Sequence, residues 1–249
     1  MRNFFQSVSD NAGFLLICLA IAAAIILLAK LFEHLTKAEL HRPGTARYAA
    51  FVGMAAAIGG VLMCFDLPLF FAPSFYQLDF SELPILMTSF YLGPTAGVLA
   101  ELLKVLVKLL LKGTSTAFVG DLANFFVGCS FILPASVIYH IKKTRKSALW
   151  GMAAGTLVMT VFGSLFNAFY LLPAFSRLYG MPLDAIIGMA AEVNSSINSI
   201  PTLVLMAVVP FNFLKGVLIS AITFPLYKRL ERLLGRLFAQ HGRKTAKEK

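Results

Sequence analysis

Apolar stretches of about 20 residues, each long enough to cross a bilayer as a helix, recur along almost the whole of this 249-residue chain. No other feature constrains its fold as strongly. In hydrocarbon every backbone N–H and C=O must be satisfied within the segment, so such stretches fold as helices. The pattern predicts spans near 13–32, 47–65, 82–98, 96–112, 118–140, 149–173 and 201–227, the third and fourth joined at a tight Gly93-Pro94 turn. Two interruptions stand out. Residues 66–81 are rich in Pro, Asp and Ser, and residues 174–200 contain one short amphipathic helix near 183–193. Charged residues make up 14% of the chain, against about 25% in a soluble domain. The expectation is an all-α integral membrane protein. The first apolar run is longer than a signal-peptide core and no small-x-small cleavage site follows it, so it reads as a retained helix.

The net charge of +10 is not spread evenly. Sixteen of the 22 Lys and Arg residues fall in three segments: around 30–47, around 142–146, and from Lys228 to the end. Seven spans put all three on one side, which the bias of cations toward the inner face makes cytoplasmic. The C-terminus is then cytoplasmic, and the loops 66–81 and 174–200 lie outside. Basic segments so placed meet anionic lipid or a cytoplasmic partner rather than nucleic acid.

Polar groups within spans are functional candidates. Asp121 and Asn124 share a helical face in FVGDLANFF, Asn167 sits in VFGSLFNAFYLLP, and Asn212 and Lys215 lie three apart in VVPFNFLKGVL. Pro210 can kink the last span and free a carbonyl. Lys215 must pair with a carboxylate, a carbonyl or a bound ligand, or snorkel to water, and Asp121 is one candidate internal partner. For each asparagine an interhelical hydrogen bond is the alternative to a ligand contact. Glu101, Lys104 and Lys108 form a stripe at spacings of three and four, read as a face turned to water or a partner. Ala49, Gly53 and Ala57 recur every four residues, thickened by Ala46, Ala50, Ala56 and Gly60. Such a strip serves either internal packing or the docking of another membrane subunit. Cys18, Cys64 and Cys129 lie in apolar runs without metal-ligand spacing and read as core thiols.

Several function classes are missing their residues. There is no phosphate-binding glycine loop followed by lysine, no HExxH, no GxSxG, and no His/Cys/carboxylate cluster at metal spacing. An intramembrane enzyme would need such a nucleophile or metal, and a channel would need a repeated filter or charged rings. What remains is a set of amides and one lysine beneath outer loops carrying Phe70, Phe71, Phe75, Tyr76 and Phe80. That suits a flat, mostly apolar solute with several hydrogen-bonding edges.

Three ordered segments carry a resemblance: Leu78 to Tyr139, FNAFYLLP (Phe166 to Pro173) and PFNFLKG (Pro210 to Gly216). They resemble the substrate-binding S components of energy-coupling-factor (ECF) vitamin transporters, within them the riboflavin-specific type, over roughly residues 47–230. The resemblance implies a six-helix core, here at 41–234, preceded by an extra N-terminal transmembrane helix and basic linker (1–40) and followed by a basic tail (235–249). It implies no enzyme activity and no cofactor, with riboflavin as the transported ligand. The implied partners are a transmembrane coupling subunit of the EcfT type and two cytoplasmic ATPase subunits. Ligand contacts carried over by motif fall on Leu78, Asp79, Phe80, Asn167, Asn212 and Lys215, and partner docking on Ala49, Gly53 and Ala57. Asn124 either touches the ligand or holds the cavity's shape, the second being favoured. Asp121 stands where the family usually has Glu. Other readings are an S component for another flat vitamin or for FMN, a membrane enzyme acting on an isoprenoid or lipid, and a purely structural subunit.

Overall fold

The computed structural model describes residues 12–36, 45–65, 67–69, 73, 76–114, 116 and 118–245. Phe70, Phe71 and Phe75, and the basic residues Lys37, Arg42, Lys247 and Lys249, lie outside that range, as do the side chains of Cys18 and of residues 230–249.

Helices dominate, as the backbone argument requires. They are α1 (Ala12–Leu35), α2 (Thr45–Leu62), α3 (Glu82–Leu92), α4 (Pro94–Lys112), α5 (Val119–Lys142) and α6 (Arg145–Phe166). A π-helical turn, Asn167–Leu171, joins α6 to α7 (Leu172–Tyr179), and α8 (Leu183–Val193) follows. Then come α9 (Ile200–Leu203), a second π-helical turn (Val204–Val208) and α10 (Val209–Thr245), which form one continuous rod. Two short strands, β1 (Leu67–Pro68) and β2 (Gln77–Leu78), pair antiparallel and close the loop after α2.

Among the described residues four rods are long and apolar enough to cross a membrane: Thr45–Leu62, Val119–Lys142, Arg145–Arg177 and Ile200–Arg229. The expected span 82–98 is shorter than the sequence implies. It stops at Leu92 because Gly93 takes a φ of 110° and Pro94 opens the next helix. An 11-residue helix at about 1.5 Å per residue reaches only about half of the hydrocarbon thickness. The apolar run continues across the turn, so hydropathy alone does not show the break. The glycine-proline turn itself lies where the sequence places it.

The main core lies where α2, α3, α4, α5, α6 and α10 meet, around Ile85, Phe90, Phe131, Tyr139 and Met152. Small residues set the closest approach: a methyl on Gly151 or Gly155 of α6 would lie 2.5 Å from the carbonyl oxygen of Ala135 or Phe131 in α5. A second cluster joins Tyr76 and Leu78 to α7, α8 and the start of α10, through Leu172, Ile186, Ile197 and Phe211. It forms a roof over one end of the bundle. In a third cluster α1 lays Ala22 and Ala29 against Val98, Val105 and Phe125. Glu33 of α1 accepts the backbone N–H of Thr95 at 2.8 Å, which satisfies an orphan donor in the first turn of α4. Of the cysteines, Cys129 is buried and Cys64 half-buried, both as free thiols.

Candidate binding site beneath the roof

Under the roof the structure brings together residues from four parts of the chain. Tyr76 and Gln77 come from the loop, Asn124 and Val127 from α5, Asn167, Leu171 and Phe175 from the π-turn and α7, and Phe211, Asn212 and Lys215 from α10. They line a cavity of about 150 Å³. A more polar cavity of about 320 Å³ adjoins it, lined by Asp79, Lys108, Lys112, Thr114, Thr116 and Asp121. Gln77, Gly120 and Asn124 belong to both walls.

Lys215 pairs with carboxylates, but not with the candidate Asp121. Its Nζ donates to Asp79 Oδ2 at 3.0 Å and lies 3.0 Å from Glu82 Oε1. Asp121 is instead paired with Lys108 on α4. An ammonium has three N–H donors; two are spent on carboxylates, and the third is left for the cavity that Lys215 lines. Burial by itself would raise the Asp79 carboxyl, but the ammonium groups of Lys215 and then Lys104 outweigh it and hold Asp79 below the usual carboxylate range. Asp79 Oδ1 accepts the backbone N–H of Ser81, which pins the loop to the start of α3.

The stripe Glu101, Lys104, Lys108 is also corrected. It faces neither water nor a partner: Lys104 and Glu101 are both 0% exposed, turned toward α5 and α3. Lys104 Nζ lies 2.6 Å from Glu101 Oε1, 3.4 Å from Glu82 Oε1, 2.9 Å from Ser81 Oγ and 2.9 Å from Asn124 Oδ1. A lone charge at such depth is expensive, and the cluster supplies each charge with opposite neighbours. Sequence reasoning misses Glu82 and the burial of Lys104. The i,i+3 spacing of Glu101 and Lys104 is visible, but it marks a solvated pair equally well.

Each amide has its orientation fixed by a partner that can only accept or only donate. Asn212 Nδ2 donates to the Val208 carbonyl at 3.1 Å, leaving Oδ1 as an acceptor. Asn167 Nδ2 donates to Gly163 O at 2.8 Å, while its Oδ1 accepts from the Tyr76 hydroxyl at 2.8 Å. Both π-turns act here, because Asn167 opens the first and Val208 ends the second. Burial raises the Tyr76 hydroxyl, which stays a donor at neutral pH. Tyr76 and Phe211 form an aromatic pair with centroids 5.6 Å apart. Of the remaining expected contacts, Asp79 lines the polar cavity, whereas Leu78 is buried in the roof and Phe80 is wedged between the roof and the main core. Leu78 and Phe80 are not among the residues lining the two cavities.

The small-residue strip of α2 divides between two faces of the helix. Ala49, Gly53 and Ala57 are exposed, and nothing lies within 4 Å of a methyl built on Gly53. Ala56 and Gly60 are buried, Gly60 directly against Val107.

A cavity roofed by loops, walled by aromatics and amides and carried on a membrane bundle fits solute capture, and the family comparison agrees. The model of the ECF transporter substrate-specific component matches residues 47–227. The chain belongs to that family. As an S component it is a multi-pass membrane protein that works with a coupling subunit and ATPase modules. The riboflavin transporter RibU of Staphylococcus aureus (strain TCH60) is 37% identical over 186 residues, 75% of this chain and 91% of the relative. The riboflavin transporter FmnP of Bacillus subtilis (strain 168) is 28% identical over 181 residues, 72% of this chain and 90% of the relative. A solved S component of a bacterial ECF transporter is 34% identical, superposes with a TM-score of 0.61, and is matched over 77% of this chain and 99% of its own. The family match begins at residue 47, so α1 lies outside it.

Proposed function

We infer that this S component captures riboflavin for ATP-driven uptake, and that it is a transport component without enzymatic activity. The observation that carries the ligand assignment is the set of hydrogen-bonding groups that line one cavity. Asn212 offers an acceptor, and Asn124 and Lys215 offer donors. The imide edge of an isoalloxazine ring carries two carbonyls and one N–H, and two donors and one acceptor match it in number and kind. Tyr76, Val127, Leu171, Phe175 and Phe211 supply apolar faces for the ring. The adjoining polar cavity, with Gln77, Thr114, Thr116 and Lys112, suits the ribityl hydroxyls. A site whose buried polar groups match a ligand edge rejects analogues that would leave those groups unpaired. The high identity to a riboflavin transporter supports the same reading.

In this reading the ligand is held by Asp79, Asn124, Asn167, Asn212 and Lys215, with Leu78 and Phe80 shaping the roof. The exposed Ala49, Gly53 and Ala57 strip docks the EcfT-type coupling subunit, which two cytoplasmic ATPases drive. The C-terminus is cytoplasmic, supported by the three clusters of cations on one side. Residues 1–40 form an added helix and linker, 41–234 the binding domain and 235–249 a basic tail. The test is an absorption spectrum of protein purified in mild detergent, then exhaustive removal of small molecules and titration with riboflavin. Saturable quenching of flavin fluorescence is expected. A colourless protein indifferent to riboflavin would overturn the assignment.

A further inference from the structure

Helices α4 and α5 meet along a three-rung ladder. Lys108 pairs with Asp121, Lys104 with Asn124, and Glu101 packs on Gly128, whose missing side chain leaves the room. The middle rung reaches the ligand cavity. Lys104 Nζ sits 2.9 Å from Asn124 Oδ1. An ammonium has no lone pair and can only donate, so Asn124 must turn its oxygen toward Lys104 and its NH2 away. The NH2 has no hydrogen-bond partner among the described residues, and Asn124 lines both cavities. Lys104 cannot turn aside, because its other two N–H groups go to Ser81 and Glu82 and the Glu101 carboxylate lies 2.6 Å from Nζ as an ion-pair neighbour.

We propose that Lys104, which does not line either cavity, is a specificity-positioning residue: it forces Asn124 to present N–H to the ligand, so that a ring carbonyl is accepted at that point and a donor is refused. The proposal rests on the reading of the cavity as a flavin site. Were Lys104 replaced by a group that both donates and accepts, or by none, the Asn124 amide would turn over and accept either kind of edge. Lys215 is different in kind. It keeps its own N–H for the cavity and acts on the ligand directly.

The test uses the full chain in detergent, freed of ligand and titrated with riboflavin and with two flavin analogues. Each analogue carries an amino group in place of one of the two imide carbonyls; the ring nitrogen between them loses its proton in both, so the contrast between the two analogues reads the carbonyl positions. Binding ratios within one preparation do not depend on the fraction of folded protein. The unaltered protein should prefer riboflavin over both analogues by roughly tenfold or more, the size of one charge-biased hydrogen bond. Lys104→Met should cut that preference by about tenfold for one analogue and leave it for the other, whose carbonyl faces Lys215. Lys104→Arg, still donor-only, should keep both preferences. Asn124→Asp retains an acceptor for Lys104 but offers no N–H, and should favour the amino analogue at the same ring position. Equal loss for all three ligands in Lys104→Met, with ratios unchanged, would make Lys104 a purely structural residue and overturn the proposal. If Lys104→Met does not fold, Asn124→Asp decides: an unchanged preference there overturns it too. Unaltered protein that binds no riboflavin would sink the flavin reading first, and this inference with it.

Discussion

Lys215 and Asp79 stand 136 positions apart in the sequence and meet at 3.0 Å in the structure. The contact ties the last helix of the bundle to the loop that roofs the cavity. Lys215→Met removes a ligand donor and leaves Asp79 and Glu82 short of a counter-charge. Truncating one member of a buried charged pair costs about 2–5 kcal/mol, or roughly thirtyfold or more in affinity. Fluorescence titration with riboflavin should show that loss, and undiminished binding would remove Lys215 from the site.

The same pair sets an acid limit. Because Asp79 is held below its ordinary value, its stabilisation is complete above the unfolded carboxylate value of about 3.9 and is lost as pH falls through the lower folded value. Thermal melting of the protein and of Asp79→Asn should therefore differ by a constant amount between pH 7 and about pH 5. The gap should narrow only in stronger acid. A gap already closing between pH 7 and pH 5 would contradict the depressed carboxyl.

Tyr76→Phe removes the hydroxyl that donates to Asn167 Oδ1 and keeps the ring that packs on Phe211. One such hydrogen bond contributes about 1 kcal/mol, so riboflavin affinity should fall by roughly fivefold. Tyr76→Ala also loses the ring and should fall much further. Equal losses in the two variants would show that the hydroxyl, not the ring, supplies the binding.

The two faces of α2 should respond oppositely to bulk. Gly53→Leu adds a side chain where nothing lies within 4 Å; melting temperature and riboflavin binding should be unchanged, while co-purification with the coupling subunit should be lost. Gly60→Leu drives a side chain into Val107, 2.5 Å from the position of the first added carbon. Overpacking of that kind costs about 1–3 kcal/mol or more, and melting should fall accordingly. A docking strip that tolerates Leu at position 53 without loss of the complex would not be the docking strip.

Much of this site is legible in the residues alone. Asn167, Asn212 and Lys215 stand out because amides and ammonium groups are rare in apolar helices, and they do converge on one cavity. Their partners are not legible. Asp121 and Asp79 are equally acidic in the sequence, and only the packing of α4 against α5 gives Asp121 to Lys108 and leaves Lys215 to the loop. The stripe on α4 misleads for a related reason. A Glu and a Lys three apart look the same whether they face water or an opposing helix, and Lys104 is buried because α5 presents Asn124 and Gly128 to it. Chain reversal at Gly93-Pro94 is visible, yet the shortness of α3 is hidden by apolar residues on both sides of the turn.

Helix α2 carries glycine and alanine on both flanks, and the two flanks lie back to back. Outward are Ala49, Gly53 and Ala57; inward, a methyl on Gly59 would come within 3.2 Å of the Lys104 stem and 3.1 Å of the Ser81 carbonyl. The membrane-facing surface and the charges that orient Asn124 are thus separated by the thickness of one helix with almost no side-chain padding. A subunit docked on the exposed strip, as proposed, would press on the same lysine that is proposed to orient Asn124. On that reading, grip on the cargo and grip on the machinery would share a single thin wall.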